Sequence, residues 1–227
     1  MKIVPSLIAA LAITATSIAG ASTSGPHPTI RSMAGAVIAD HIDPKATALI
    51  VIDFQNEYFT GAMPISDGAA ALANTRRLIT FADKADIPVY HVQHVAPAGS
   101  PVFAIDGETV KFHPDMQPRP GDAVVQKQTV SVFAGTDLAE QLKTVHIKTV
   151  IIAGLMTHAC VAGAARDAVP NGLQVIVASD ASATRTITRA NGDTIDQDTL
   201  HRSSLAEIED TFGDVLTVSQ IVSLPLR

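Results

Sequence analysis

Three side chains in this sequence could make and break covalent bonds together: Asp53, Lys127 and Cys160. A carboxylate can take a thiol proton, and the thiolate can then attack an electrophilic carbon. An ammonium beside them favours the ionised forms and steadies charge that develops during reaction. Cys160 is the single cysteine of the 227-residue chain, so no intrachain disulfide is available to it. Each residue alone also has a plain structural reading: a small thiol packed in an alanine-rich helix, a carboxylate capping a turn, a solvated lysine at a strand end. Their joint placement is what points to chemistry.

That placement follows from the elements around them. Residues 46–52 are a continuous apolar run, as expected for a strand buried on both faces, and Asp53 follows directly. Residues 69–85 read as a helix with Leu72, Leu78, Ile79 and Phe81 as its apolar stripe, and 87–92 as a second strand. A Gly/Pro-bearing connection over 96–120 is too irregular to assign, and loops of that length often cover a site. Strand 123–126 leads to Lys127, a helix covers 137–143, and strand 148–153 precedes a helix over 158–169 that Pro170-Asn171-Gly172 stops. A fifth strand over 173–178, a mainly helical stretch over 193–210, and a sixth strand over 214–217 with a short helix complete the pattern. Strands alternating with helices imply a three-layer α/β/α domain, Rossmann-like, with a parallel six-stranded sheet. Ligands of such sheets bind outside the carboxyl ends of the strands, where all three residues fall. Cys160 also lies in the first turn of its helix, where unpaired N–H groups favour an anion and can serve as oxyanion donors.

The bulk properties exclude other classes. The formal net charge is −6, there is no Trp, and aromatics make up 4% of residues. Without a Lys/Arg-rich block, nucleic acid and anionic membranes are poor partners. Residues 1–21 have the order of a cleavable signal peptide: Lys2, the apolar run 7–13, and Ala19-Gly20-Ala21 as a small-x-small site. An uncleaved anchor is the competing reading, weakened by the Ser, Thr and Gly content of 14–25. Residues 22–42 then read as a linker and 43–227 as the domain, of a secreted or periplasmic protein that leaves the membrane after cleavage.

The segments Ala48-Leu-Ile-Val-Ile-Asp-Phe-Gln-Asn-Glu-Tyr-Phe59, Val125-Gln-Lys127 with Phe133-Ala-Gly-Thr-Asp-Leu138, and Gly154-Leu-Met-Thr-His-Ala-Cys-Val161 resemble the isochorismatase-like cysteine hydrolases. That family includes nicotinamidases and carbamoylsarcosine amidohydrolases. The similarity continues through 164–168 and 175–184 and spans about 46–218, with Gly-x-x-Thr-x-x-Cys-Val as its most specific core. The resemblance implies the isochorismatase-like fold, Asp53 as general base, Lys127 as assisting cation and Cys160 as a nucleophile that forms an acyl intermediate. It also implies a cis peptide at Leu155-Met156 that aims the amides of Met156 and Cys160 at an oxyanion. Isochorismatases that cleave an enol ether lack the nucleophilic cysteine, so a small amide or related C–N bond is the expected target. The same residues acting on a thioester or ester, or a scaffold that only binds or assembles, remain the alternatives.

No Asp-x-His metal pair of the nicotinamidase kind is found, so neither a metal nor another cofactor is expected. His91 and His94 are three apart in a strand and point to opposite faces, and either could line the pocket. His158 is directed away from the thiol by its spacing, and His201 reads as surface or subunit contact. Gln55, Phe59, Phe133 and Thr157 are the expected substrate contacts, with a small-molecule substrate and a homo-oligomer as the partners the resemblance suggests.

Overall fold

The computed structural model describes residues 27–227; the segment 1–21 read as a signal peptide lies outside them. The elements run α1 (Ile30–Met33), β1 (Thr47–Ile52), α2 (Gly68–Lys84), β2 (Val89–His94), β3 (Ala123–Lys127), α3 (Leu138–Thr144), β4 (Thr149–Leu155) and a π-turn (Thr157–Val161) that continues into α4 (Ala162–Ala168). After these come β5 (Gln174–Ala183), β6 (Ile187–Thr188), β7 (Thr194–Ile195), α5 (Gln197–Thr211), β8 (Asp214–Leu216) and α6 (Val218–Ser223).

Six of the strands form one sheet in the order β3-β2-β1-β4-β5-β8, with every pairing parallel. The expected three-layer architecture is therefore the observed one. Both faces of the central strands are covered, which explains why β1 reads as an unbroken apolar run rather than an alternating one. Leu49 and Val51 face one core with Leu72, Leu78, Ile79, Val218 and Ile221 of α2 and α6. Ala48, Ile50 and Ile52 face the other, with Leu138, Leu142, Ala164, Ala165 and Ile208 of α3, α4 and α5. The chain reverses its direction of growth between β1 and β4, and such a switch point opens a crevice at the strand carboxyl ends.

Two close approaches shape that crevice. Asp53, the residue after β1, has a left-handed backbone with φ of 54°, a conformation a short polar side chain tolerates better than most. Across from it, Gly154 has φ of 150°, and a Cβ there would lie 2.4 Å from the Ile52 carbonyl oxygen. Only glycine lets β4 pass this close to the end of β1.

The stretch 193–210 is mainly helical, as expected: α5 begins at Gln197, N-capped by Asp196, and just before it Thr194–Ile195 pairs with Ile187–Thr188 in a small antiparallel hairpin. Two other local readings are corrected. The helix carrying Cys160 opens as a π-turn before it becomes α-helical. The described part of the segment read as a linker, residues 27–42, is tied to the domain. Arg31 pairs with Asp214 at 2.8 Å, the Ile30 amide donates to Asp210, the Ala39 amide donates to Asp214, and Ile42 bridges to Leu226.

Candidate active site

Asp53, Lys127 and Cys160 meet at the carboxyl ends of β1, β3 and β4, and all three are buried, with 0%, 1% and 5% of their surface exposed. Lys127 stands at the centre. Its Nζ lies 2.8 Å from Asp53 Oδ2, 3.3 Å from Cys160 Sγ and 2.9 Å from His94 Nδ1. An ammonium has three hydrogens and no acceptor, so these three partners satisfy it completely. Apart from this ion pair, neither oxygen of Asp53 accepts a well-directed hydrogen bond among the described residues. The carboxylate thus has lone pairs free to receive a proton.

The strand register accounts for the fourth member. His94 and Lys127 are Cα partners across β2 and β3, so their side chains leave the sheet on the same side. His91, three residues earlier, points to the other side and sits 3.2 Å from Asp122. Parity along β2 separates the two histidines, and the register identifies the one that reaches the site. Asp53, His94 and Cys160 bring an oxygen, a ring nitrogen and a thiol within 4.8 Å of one another, and the positive charge among them is the Lys127 ammonium, which contacts all three.

Charge and burial set the protonation states. Burial, reinforced by the neighbouring Asp53 charge, pushes the Cys160 thiol up to about 12 against the opposing pull of Lys127. The resting group is a thiol, where helix position and the ammonium alone had suggested a thiolate. Burial works to lower the pKa of Lys127, but Asp53 and Cys160 outweigh it, so the lysine stays charged. Burial first and then the Lys127 charge depress His94, which is neutral at pH 7. Tyr58, buried beneath the site, is raised by burial and by Asp53 and keeps its proton.

The loop after β1 carries two buried polar side chains that organise the walls. Both ends of the Gln55 amide are engaged: Nε2 donates to the carbonyls of His94 at 2.8 Å and Val110 at 2.6 Å, and Oε1 accepts from the His94 amide at 2.8 Å. Gln55 is therefore a clamp on the end of β2 and not an open substrate contact. Glu57 accepts from the Ala62 amide at 2.6 Å and the Thr109 hydroxyl at 2.5 Å, which ties down the long connection after β2. In that connection Phe103 is buried, with its ring 5.3 Å from that of Tyr58 and 4.8 Å from that of His94. Half-buried Phe59 lies 4.3 Å from the ring of His113, and Phe133 is half-buried in the segment after Lys127.

Behind the thiol, the Leu155–Met156 peptide is cis. Thr157 is fully buried, and its hydroxyl pairs with His201 Nδ1 at 2.8 Å, so it too is unavailable as a substrate contact. His201 is half-buried, and through this contact it supports the turn from α5. His158 pairs with the Thr184 hydroxyl at 2.5 Å and is directed away from the thiol. His201 and Thr184 also line a cavity of about 220 Å³ on the far side of this turn. Arg185, just past β5, has a buried Nε without a partner among the described residues.

Sequence reasoning missed the Lys127 contact of His94, the Gln55 clamp and the Thr157–His201 pair. Only the first had a readable signal, because His94 and Lys127 each close a strand at the same end of the sheet.

The isochorismatase domain model matches residues 47–220, nearly the whole described chain. The chain belongs to the isochorismatase family. A secreted isochorismatase effector of Verticillium dahliae is 35% identical to this family member over 84% of this chain and 97% of its own. The maleamate amidohydrolase of Pseudomonas putida is 28% identical over 76% of this chain and 84% of its own. A crystal structure of a cysteine hydrolase from Pseudomonas syringae pv. phaseolicola superposes with a TM-score of 0.78 at 25% identity, over 82% of this chain and 95% of that one. The isochorismatase-like hydrolase fold of the chain is thus matched from the domain core to both of its sheet edges.

Proposed function

We propose that this isochorismatase-family hydrolase is an exported cysteine hydrolase that cleaves a small amide or related C–N bond through an acyl-Cys160 intermediate. The observation that carries the reading is the Lys127 ammonium between a carboxylate with free lone pairs and the single thiol of the chain.

The protonation states fit a stepwise cycle. The resting thiol passes its proton to Asp53 as sulfur bonds to the substrate carbonyl carbon, and the carbonyl electron pair moves onto oxygen. The amides of Met156 and Cys160, in the turn where the helix begins, stabilise that oxyanion. Lys127 keeps the site close to neutral while negative charge moves from Asp53 through sulfur to the substrate. Collapse breaks the C–N bond, and protonated Asp53 delivers its proton to the leaving nitrogen. Water then attacks the thioester with Asp53 again as base, which releases the acid and restores the thiol. Phe59 and Phe133 are proposed as apolar substrate walls.

Export is supported by the leader-like order of residues 1–21 and by the secreted relative of Verticillium dahliae. The decisive experiment is intact-mass trapping with a library of small amides. An acyl adduct on Cys160, absent in Cys160→Ala and accompanied by release of ammonia or amine, is the expected result. Release of only thiol or alcohol from a parallel ester panel would move the reading to ester chemistry. No adduct with any acyl donor would leave a binding scaffold.

A further inference from the structure

A lysine that must stay charged and correctly aimed inside a protein needs an acceptor for every N–H, because an unsatisfied buried donor is costly. Asp53 and Cys160 account for two of the three hydrogens of Lys127, and both change protonation in the proposed cycle. The third hydrogen meets His94 Nδ1 at 2.9 Å.

We propose that His94 is the positioning residue of this site: its neutral ring accepts the third Lys127 hydrogen and holds the ammonium between base and nucleophile while their charges exchange. The inference rests on the cysteine hydrolase reading for its catalytic consequence, but the contact itself does not.

Three independent features support it. The β2–β3 register makes His94 and Lys127 partners, so the contact is built by the sheet rather than by a loop. The His94 backbone is fixed on both its amide and its carbonyl by the side chain of Gln55. The chemistry also selects a tautomer, because an ammonium can only donate: Nδ1 must be the bare nitrogen, and Nε2 carries the ring hydrogen. The charged groups facing the ring are Lys127 from β3 and Asp53 from the end of β1, with the Cys160 thiol from the π-turn, while the uncharged Phe103 ring covers it from the long connection. A second proton on the ring would set N–H against N–H and put two cations side by side. His94 is therefore an acceptor only while neutral.

The test has two arms. Nitrogen-detected NMR of the full mature chain is expected to show His94 neutral at pH 7 as the Nε2–H tautomer, with its imidazolium pKa raised by at least about one unit in Lys127→Met, where the neighbouring charge is gone. An Nδ1–H tautomer, an imidazolium at pH 7, or a pKa indifferent to Lys127→Met would overturn the contact. In the second arm, Cys160 alkylation by iodoacetamide at pH 7 is followed by intact mass. His94→Leu is expected to slow it about tenfold, the loss typical of a hydrogen bond to a charged group. His94→Asn is expected to stay within about threefold of the parent, because its side-chain oxygen can occupy the Nδ1 position. Both variants open the pocket to a similar degree, so the difference between them reports the acceptor and not access. Equal rates in the two variants, with Lys127→Met still slow, would refute positioning by His94 while leaving the nucleophile reading intact. A parent no faster than Lys127→Met would count against that reading instead, and His94 would then lose its catalytic consequence.

Discussion

Replacing Asp53 by Asn should make Cys160 easier to ionise and yet abolish turnover. The thiol is pushed up to about 12 by burial first and by the Asp53 charge second. Asn keeps the volume, and hence the burial, but removes the charge. The reacting atoms of Asp53 and Cys160 lie within 4.8 Å. At an effective dielectric of about 20, that separation corresponds to about 3.5 kcal/mol, or about 2.5 pKa units. The thiol of the variant should then titrate at about 9.5, still above a free cysteine because the burial remains. Lys127, deprived of its carboxylate, pairs with the thiolate instead. Iodoacetamide alkylation followed by intact mass from pH 7 to 11 measures the midpoint directly, with Cys160→Ser as the blank. The same variant should form no product from any amide that acylates the parent enzyme, because nothing is left to carry the proton from sulfur to nitrogen. No midpoint below pH 11 in the variant would show that the carboxylate does not hold the thiol protonated, and the stepwise proton transfer would fall with it.

Other outcomes follow from the same geometry. Gln55→Ala strips the partners from both backbone groups of His94, and a chemical-denaturation midpoint should show a loss of about 2–4 kcal/mol; a loss under about 0.5 kcal/mol would mean the clamp is not needed. His201→Ala frees the Thr157 hydroxyl and should lower the acylation rate several-fold with little change in substrate KM, whereas a pure KM effect would place His201 in the binding pocket. Stability should also decline with acid. His91, His94, His158 and His201 all have pKa values depressed below 6.5 with burial as the first cause. The unfolded chain therefore binds more protons just below pH 6.5, so stability is full above that pH and falls as pH drops below it, by up to about 1.4 kcal/mol per unit for each histidine. Thermal melts that stay flat from pH 7 to 5 would contradict that burial effect.

The sheet and the convergence of Asp53, Lys127 and Cys160 were legible because they depend on signals of short range. An apolar run ending in Asp53, a short strand ending in Lys127 and a glycine-bearing strand before Cys160 each announce a carboxyl end, and parallel strands bring carboxyl ends together. What could not be read depends on register and on side-chain reach. Gln55 carries a polar amide close to Asp53, a natural substrate contact until the end of β2 is seen to need the same hydrogen bonds. Thr157 was ambiguous in the same way, because its partner His201 lies 44 residues further along the chain. His94 was separable from His91 by parity, yet its contact with Lys127 required the pairing of β2 with β3 in a particular register. The small hairpin before α5 was hidden for a related reason, since two-residue strands leave no periodicity to detect.

The resting state also bears on why one thiol suffices in the compartment proposed for this protein. Thiolates, not thiols, are the species that oxidise or exchange with disulfides, and exposure governs how fast they do so. Cys160 is 5% exposed and pushed up to about 12, so its thiolate population at neutral pH is very small. A permanently ionised cysteine of the kind made by a nearby cation alone would be reactive toward every oxidant it met. Here the cation is matched by Asp53, and in the proposed cycle the proton leaves sulfur only when an electrophile is present to take up the charge. His94 completes that balance from outside the exchange, since its neutral ring fixes the ammonium without adding charge of either sign. The arrangement that makes the nucleophile conditional is thus the same one that protects it, and both properties depend on the placement of one lysine.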